Sequence, residues 1–195
     1  IDLAWCENSA DELFFDLDAP ILNSTATKGG GSYFSVSNPA GLGSALGETI
    51  NQIAAQMALA AGRQGPCLYV TLESEPRAIF SRLVAALSGV PLSRVIQRDL
   101  RTGEDYERAM AASSALSELT VEIETLESLE DIEQYLGDMS IRHGFTPGIV
   151  FVDDVDSLAE SVRGGSDYER LKRAATGLLR LTHRTGWGVV ALKQL

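Results

Sequence analysis

The chain has 195 residues, 45% of them hydrophobic and 22% charged, with a formal net charge of −11. That length suits one domain, or one domain with an arm, and such a composition can bury a core, which excludes a chain disordered throughout. Two cysteines cannot build a disulfide framework, and two Cys with two His argue against a structural zinc site. No apolar run reaches the length of a membrane span, and Ile1–Glu7 lacks the basic start of a signal peptide, so a reducing cytoplasm is the expected compartment. The acidity excludes a surface coated all over with nucleic acid and leaves room for a local basic face.

Residues 1–31 read as an acidic arm with a Gly-rich linker. Residues 1–27 hold six acids and no base, and Leu13-Phe14-Phe15 within them suits a packing anchor. The expected globular domain is 32–195. Ser32–Ser37 is strand-like, and the glycine-rich turn Asn38-Pro39-Ala40-Gly41-Leu42-Gly43-Ser44 leads into a helix with Leu46, Ile50, Ile53 and Met57 on one face. Gly62–Pro66 breaks that helix and Cys67–Leu72 is a buried strand. Pro76–Leu87 is helical, a short helix starts at Val90–Ser93, and Glu104–Leu116 is amphipathic. Thr120–Glu124 alternates like an edge strand, and Ser128–Arg142 is a helix with Leu129, Ile132 and Leu136 inward. Gly148–Val152 is an apolar strand ending in Asp153-Asp154, Asp167–Arg184 is a helix and Gly188–Leu192 the last strand. Charge follows these segments. Residues 104–138 carry eleven acids against Arg108 alone, whereas residues 163–184 carry six bases against two acids. Each run suits a solvated helix face; the basic one also suits a polyanion.

Strands alternating with helices predict an α/β fold, a parallel sheet of about five strands covered by helices on both faces. Such sheets bind ligands at the carboxyl ends of their strands. Those ends hold the glycine turn, Glu73, Asp153 and Gln194, the layout of a RecA-like P-loop NTPase. In that layout Asp153 and the Ser44 hydroxyl would hold Mg²⁺, Glu73 would activate water and Gln194 would sense the γ-phosphate of ATP. Singly, each feature is ordinary, since glycines turn chains and a carboxylate often marks where a strand meets water. Two registers of the loop are open. Asn38–Gly43 with Ser44 follows the strand directly; Leu42–Gly47 with Thr49 puts Glu48 where a lysine belongs. Neither has the lysine of G-x-x-x-x-G-K-[ST], because no lysine lies between Lys28 and Lys172, so ATP binding is expected to be weak or absent.

Six segments in order carry a resemblance. They are Leu68-Tyr69-Val70-Thr71-Leu72-Glu73; Arg82 nine residues on; Leu100-Arg101-Thr102-Gly103; Asp105-Tyr106; Ile149-Val150-Phe151-Val152-Asp153; and Val190-Ala191-Leu192-Lys193-Gln194-Leu195. Together they resemble the C-terminal motor domain of DnaB-type replicative DNA helicases, from Gly29 to Leu195. Asp154 and Asp156 stand where that family has Tyr and Gln. The resemblance implies an ATP- and Mg²⁺-dependent DNA helicase of DNA replication, a homo-oligomeric, hexameric ring translocating on single-stranded DNA, with Glu73, Asp153 and Gln194 catalytic. It puts a DNA loop at Glu160–Lys172, with Arg163, Gly164, Gly165 and Lys172 as the contacts. It also implies that residues 1–31 pack on a neighbouring subunit, and that the family's later strands, second DNA loop and arginine finger lie beyond Leu195. A degenerate RecA-like binding or scaffold module is the alternative. A RecA/RadA-type recombination ATPase is the third reading, although those proteins lack the Arg-Thr-Gly segment.

Overall fold

The computed structural model describes residues 39–97, 100, 103–144 and 146–193, with side chains from Gly47 onward. Residues 1–49 and 50–195 form two compact units. The arm, the boundary expected at residue 31 and the strand expected at Ser32–Ser37 lie outside the described residues. In chain order the elements are α1 (Pro39–Gly62), β1 (Cys67–Thr71), α2 (Pro76–Ser88), α3 (Leu92–Gln97), α4 (Gly103–Ser117), β2 (Val121–Glu124), α5 (Leu129–Arg142), β3 (Ile149–Asp153), α6 (Val155–Glu160), α7 (Asp167–Thr185) and β4 (Gly188–Ala191).

Four parallel strands form one sheet in the order β2-β1-β3-β4. Strand side chains alternate between faces, and here both faces are dry. Leu68, Val70, Val150 and Val152 pack on one side against Ile132, Leu136 and Met139 of α5, Leu158 of α6, Ala174, Leu178 and Leu181 of α7, and Trp187. Cys67, Tyr69 and Phe151 pack on the other against α1, α2 and α4. Central strands buried on both faces explain the unbroken apolar runs CLYVT and IVFVD, while β2 lies at an edge, as its alternation predicts. Among the described residues no helix is long and apolar enough to cross a membrane.

Caps explain most boundaries. Ser128 accepts from Asp131 N to start α5, and Ser166 with Glu169 forms a capping box on α7. Gly89 and Gly186 end α2 and α7 in the left-handed conformation. Gly148 is required by space, because a Cβ there would sit 1.8 Å from Pro66 O.

Two readings of the sequence are corrected. On the apolar face expected of α1, Ile50 is half-buried, but Ile53 is 51% and Met57 46% exposed. Ala54, Ala55, Ala58 and Leu59 are buried instead. Small side chains bring α1 close to its neighbours, so that a Cβ on Gly62 would meet Val121 Cγ2 at 2.2 Å. Second, α6 is a helix that periodicity did not show, since one turn and a half between Asp154 and Ser161 reads as loop.

Candidate functional site

β1 and β3 are adjacent and in register, Thr71 opposite Asp153, so their carboxyl ends are brought together. The Leu72 amide extends the ladder by donating to Asp153 O at 2.8 Å. Thr71 Oγ1 donates to Ser74 O at 2.7 Å and accepts from Ser74 N at 3.1 Å, which folds the chain back just after the strand. Glu73 sits on that turn. Its Oε1 accepts from Ser157 Oγ at 3.1 Å, tying it to the first turn of α6 beyond β3. Glu73 and Asp153, expected to act together, therefore end neighbouring strands and are both held by fixed partners.

Asp153 is 6% exposed. Burial pushes its carboxyl above the ordinary carboxylate value; the Tyr69 hydroxyl and the Arg82 charge oppose this, and Asp154 and Glu73 add to it. Tyr69 OH donates to Asp153 Oδ2 at 3.1 Å, and its ring stacks on Phe151 with centroids 5.7 Å apart. Burial, then the neighbouring Asp153, push the Tyr69 phenol well above its usual range, so it stays a donor. Sequence reasoning missed Tyr69; the available signal was a tyrosine inside a strand dry on both faces, where its hydroxyl needs a partner. Arg82 lies on α2, and its Nη1 is buried and makes no hydrogen bond. It is an orphaned donor whose charge acts on both Tyr69 and Asp153.

Asp154 is structural: 3% exposed, it caps α6 by accepting from Ser157 N at 2.7 Å. The Asp153–Asp154 peptide is cis. Asp156 pairs with Lys193, whose Nζ lies 2.7 Å from both its oxygens. Leu192 donates to Val152 O and accepts from Val155 N, so the segment before Gln194 is fastened to β3 and α6. Gln194 itself lies outside the described residues. Asp105, part of the family-like segment after α3, is also structural: it is buried and held by Arg94 of α3 and by Arg108 at 2.5 Å.

The glycine-rich turn differs from its expected form. Asn38 lies outside the described residues, but Pro39, Ala40, Gly41, Leu42, Gly43 and Ser44 are helical from the first turn of α1, and Gly47 and Thr49 of the other register lie within the same helix. Pro39 at the first helical position is preset for that start, and Ala40, Leu42, Ala45 and Leu46 favour its continuation.

The residues present fit magnesium that arrives with phosphate better than a resident ion. Asp153 and Glu73 supply two oxygen-donor groups, but among the described residues no three His, Cys, Asp or Glu form a metal cage. Magnesium commonly takes one or two carboxylates and completes its shell with water and phosphate.

Of the expected nucleic-acid residues, Arg163, Gly164 and Gly165 lie on the α6–α7 connection, whereas Lys172 lies in the second turn of α7, so the loop expected at Glu160–Lys172 is shorter than the sequence suggested. Gly164 and Gly165 have φ of 71° and 92°, and Arg173 of α7 clamps them by donating to Arg163 O at 2.9 Å and to Gly164 O. A Cβ at Gly165 would come within 2.3 Å of Arg173 Nη2. The two glycines therefore serve a tight reversal, which places Arg163 and Lys172 on one cavity wall.

The doubly covered parallel sheet, with Glu73 and Asp153 at the ends of adjacent strands, is an α/β fold that can be compared with solved structures. The sequence matches no family model and no curated protein. Among solved structures the chain is similar to a DnaB-like replicative helicase studied for its interactions with primase, at 17% identity and TM-score 0.67 over 75% of this chain and 36% of that one. It is also similar to a second solved structure, described as an ATPase domain, at 16% identity and TM-score 0.66 over 73% of this chain and 51% of that one. At these identities the likeness shows the fold, and the chain spans about a third and about half of those two chains.

Proposed function

We propose that this chain is the motor core of a replicative-type DNA helicase, an ATPase by descent that acts on single-stranded DNA within a hexameric ring and binds nucleotide weakly. The observation that carries this is the placement of Glu73 and Asp153 at the ends of two adjacent strands in a fold similar to helicase ATPase domains. Glu73 is exposed and fixed by Ser157, as suits a base aligning water. Asp153, fixed by Tyr69, would orient the magnesium shell, and Gln194 would report the γ-phosphate. Magnesium, when bound, would neutralise charge developing on the phosphate oxygens. The start of α1 offers phosphates backbone N–H groups and a positive helix end, but no lysine.

The helical conformation of residues 39–44 and the missing lysine favour a second reading, a non-hydrolysing module of the same fold. Titration with a fluorescent ATP analogue and Mg²⁺ separates the two, run on the chain and on a variant with lysine inserted between Gly43 and Ser44. Weak binding that tightens on insertion supports the motor. No binding in either form overturns it, and tight binding without the lysine overturns the impairment.

A further inference from the structure

A cavity of about 790 Å³ lies between the start of α5 and the outer face of α7. Its floor is apolar, where Leu129 crosses Gly177 so closely that a Cβ there would meet Leu129 Cδ1 at 2.3 Å. Its walls carry Arg163, Lys172, Arg173 and Arg180 against Glu130 and Glu169. These charges differ in how they are satisfied. Arg173 is committed to the carbonyls of Arg163 and Gly164, and Glu169 to the capping box. Arg163, Lys172 and Arg180 are exposed and have no ion pair among the described residues. The N-terminus of α5 adds no anion site, because Ser128 caps it and Glu130 and Asp131 load its first turn.

The cations form a track. Lys172, Thr176 and Arg180 follow one another at four-residue steps, opposite the buried Ala174, Leu178 and Leu181. At the rise of an α-helix Lys172 and Arg180 stand about 12 Å apart along the axis. One turn before Lys172, on the same stripe, stands Tyr168, an aromatic side chain 73% exposed. A row of unpaired cations with an open aromatic beside it is the composition of a single-strand binder, in which cations take phosphates and rings take bases without regard to sequence.

We propose that single-stranded nucleic acid runs along the outer face of α7, its phosphates on Arg163, Lys172 and Arg180 and a base stacked on Tyr168. This rests on the reading that the chain acts on a single strand, and it adds Arg180 and Tyr168 to the contacts expected at the loop. Binding is salt-sensitive and sequence-tolerant.

The test is fluorescence anisotropy of the full chain with a labelled oligothymidylate longer than about 16 nucleotides. Arg180→Ala is expected to lower the slope of log affinity against log salt by about 0.7. Arg163→Ala with Lys172→Ala lowers it by about twice that. Tyr168→Ala weakens binding about tenfold, Tyr168→Phe restores it, and an abasic strand does not distinguish them. All four residues are exposed, so circular dichroism should be unchanged. Binding that ignores Arg180→Ala and Tyr168→Ala overturns the track. So does a peptide of residues 1–27 that binds the chain more tightly than the oligonucleotide and loses affinity in Arg180→Ala. Intact strand binding without any nucleotide binding, even after the lysine insertion, supports the track and overturns the motor reading.

Discussion

The strand-end cluster and the α5–α7 groove carry opposite charge and opposite degrees of satisfaction. At the strand ends each carboxylate has an assigned partner: Tyr69 for Asp153, Ser157 for Glu73, the α6 amides for Asp154, Lys193 for Asp156. In the groove three cations have none among the described residues, and the fourth is spent on holding the loop. Asp153 and Asp154 are buried, and buried charge has to be held at the cost of desolvation, so their partners are obligatory. Exposed charge is hydrated, so leaving it unpaired costs little and keeps it free for a polyanion. Substitutions should therefore act on stability at the first site and on binding at the second.

The largest effect is expected from Tyr69→Phe, which removes the donor to a buried carboxylate and should cost about 1–3 kcal/mol in urea unfolding. The loss depends on pH. Burial raises the folded-state pKa of Asp153, so the native chain holds that proton more tightly than the unfolded chain and loses stability as pH rises above 3.8. The variant raises that pKa further, so its destabilisation should be largest where Asp153 is ionised in the folded chain and shrink as pH falls toward the unfolded value. Next, Asp154→Ala uncaps α6 and should cost about 1–2 kcal/mol. Lys193→Ala breaks a half-exposed pair and should cost less than about 1 kcal/mol. Arg180→Ala should stay within about 0.5 kcal/mol of the parent.

The contrast also predicts chemical access. Burial pushes the Cys67 thiol up to about 12, so with Cys6→Ser it should resist alkylation until the chain unfolds. Lys172→Cys, on the groove wall, should react at once under the same conditions.

The fold was legible wherever one rule governed a segment. Apolar β-rich runs gave β1 and β3 to within a residue, and the spacing of Leu129, Ile132 and Leu136 gave α5 with a start one residue early. The misreadings came from rules in competition. In α1 the large apolar residues suggested the buried face, but close packing selected Ala54, Ala55 and Ala58. Asp154, which follows the strand-ending Asp153, starts a helix too short for periodicity to show. At the site, Glu73 and Asp153 were legible because each ends an apolar strand. Tyr69 was not, since its bond to Asp153 exists only through the pairing of β1 with β3, a contact 84 residues apart in sequence. Arg180 and Tyr168 were hidden within a basic block until the helix sorted that block into faces.

The most direct test of a nucleotide site at the strand ends and a separate polyanion track is a two-ligand titration. Magnesium-dependent binding of a fluorescent ATP analogue and binding of single-stranded DNA are measured on Asp153→Asn and on Arg163→Ala with Lys172→Ala, both in the lysine-inserted chain. Asp153→Asn should lose the magnesium dependence and keep DNA binding, and the double variant should do the reverse. Nucleotide binding indifferent to Asp153, or DNA binding indifferent to Arg163 and Lys172, would contradict that division.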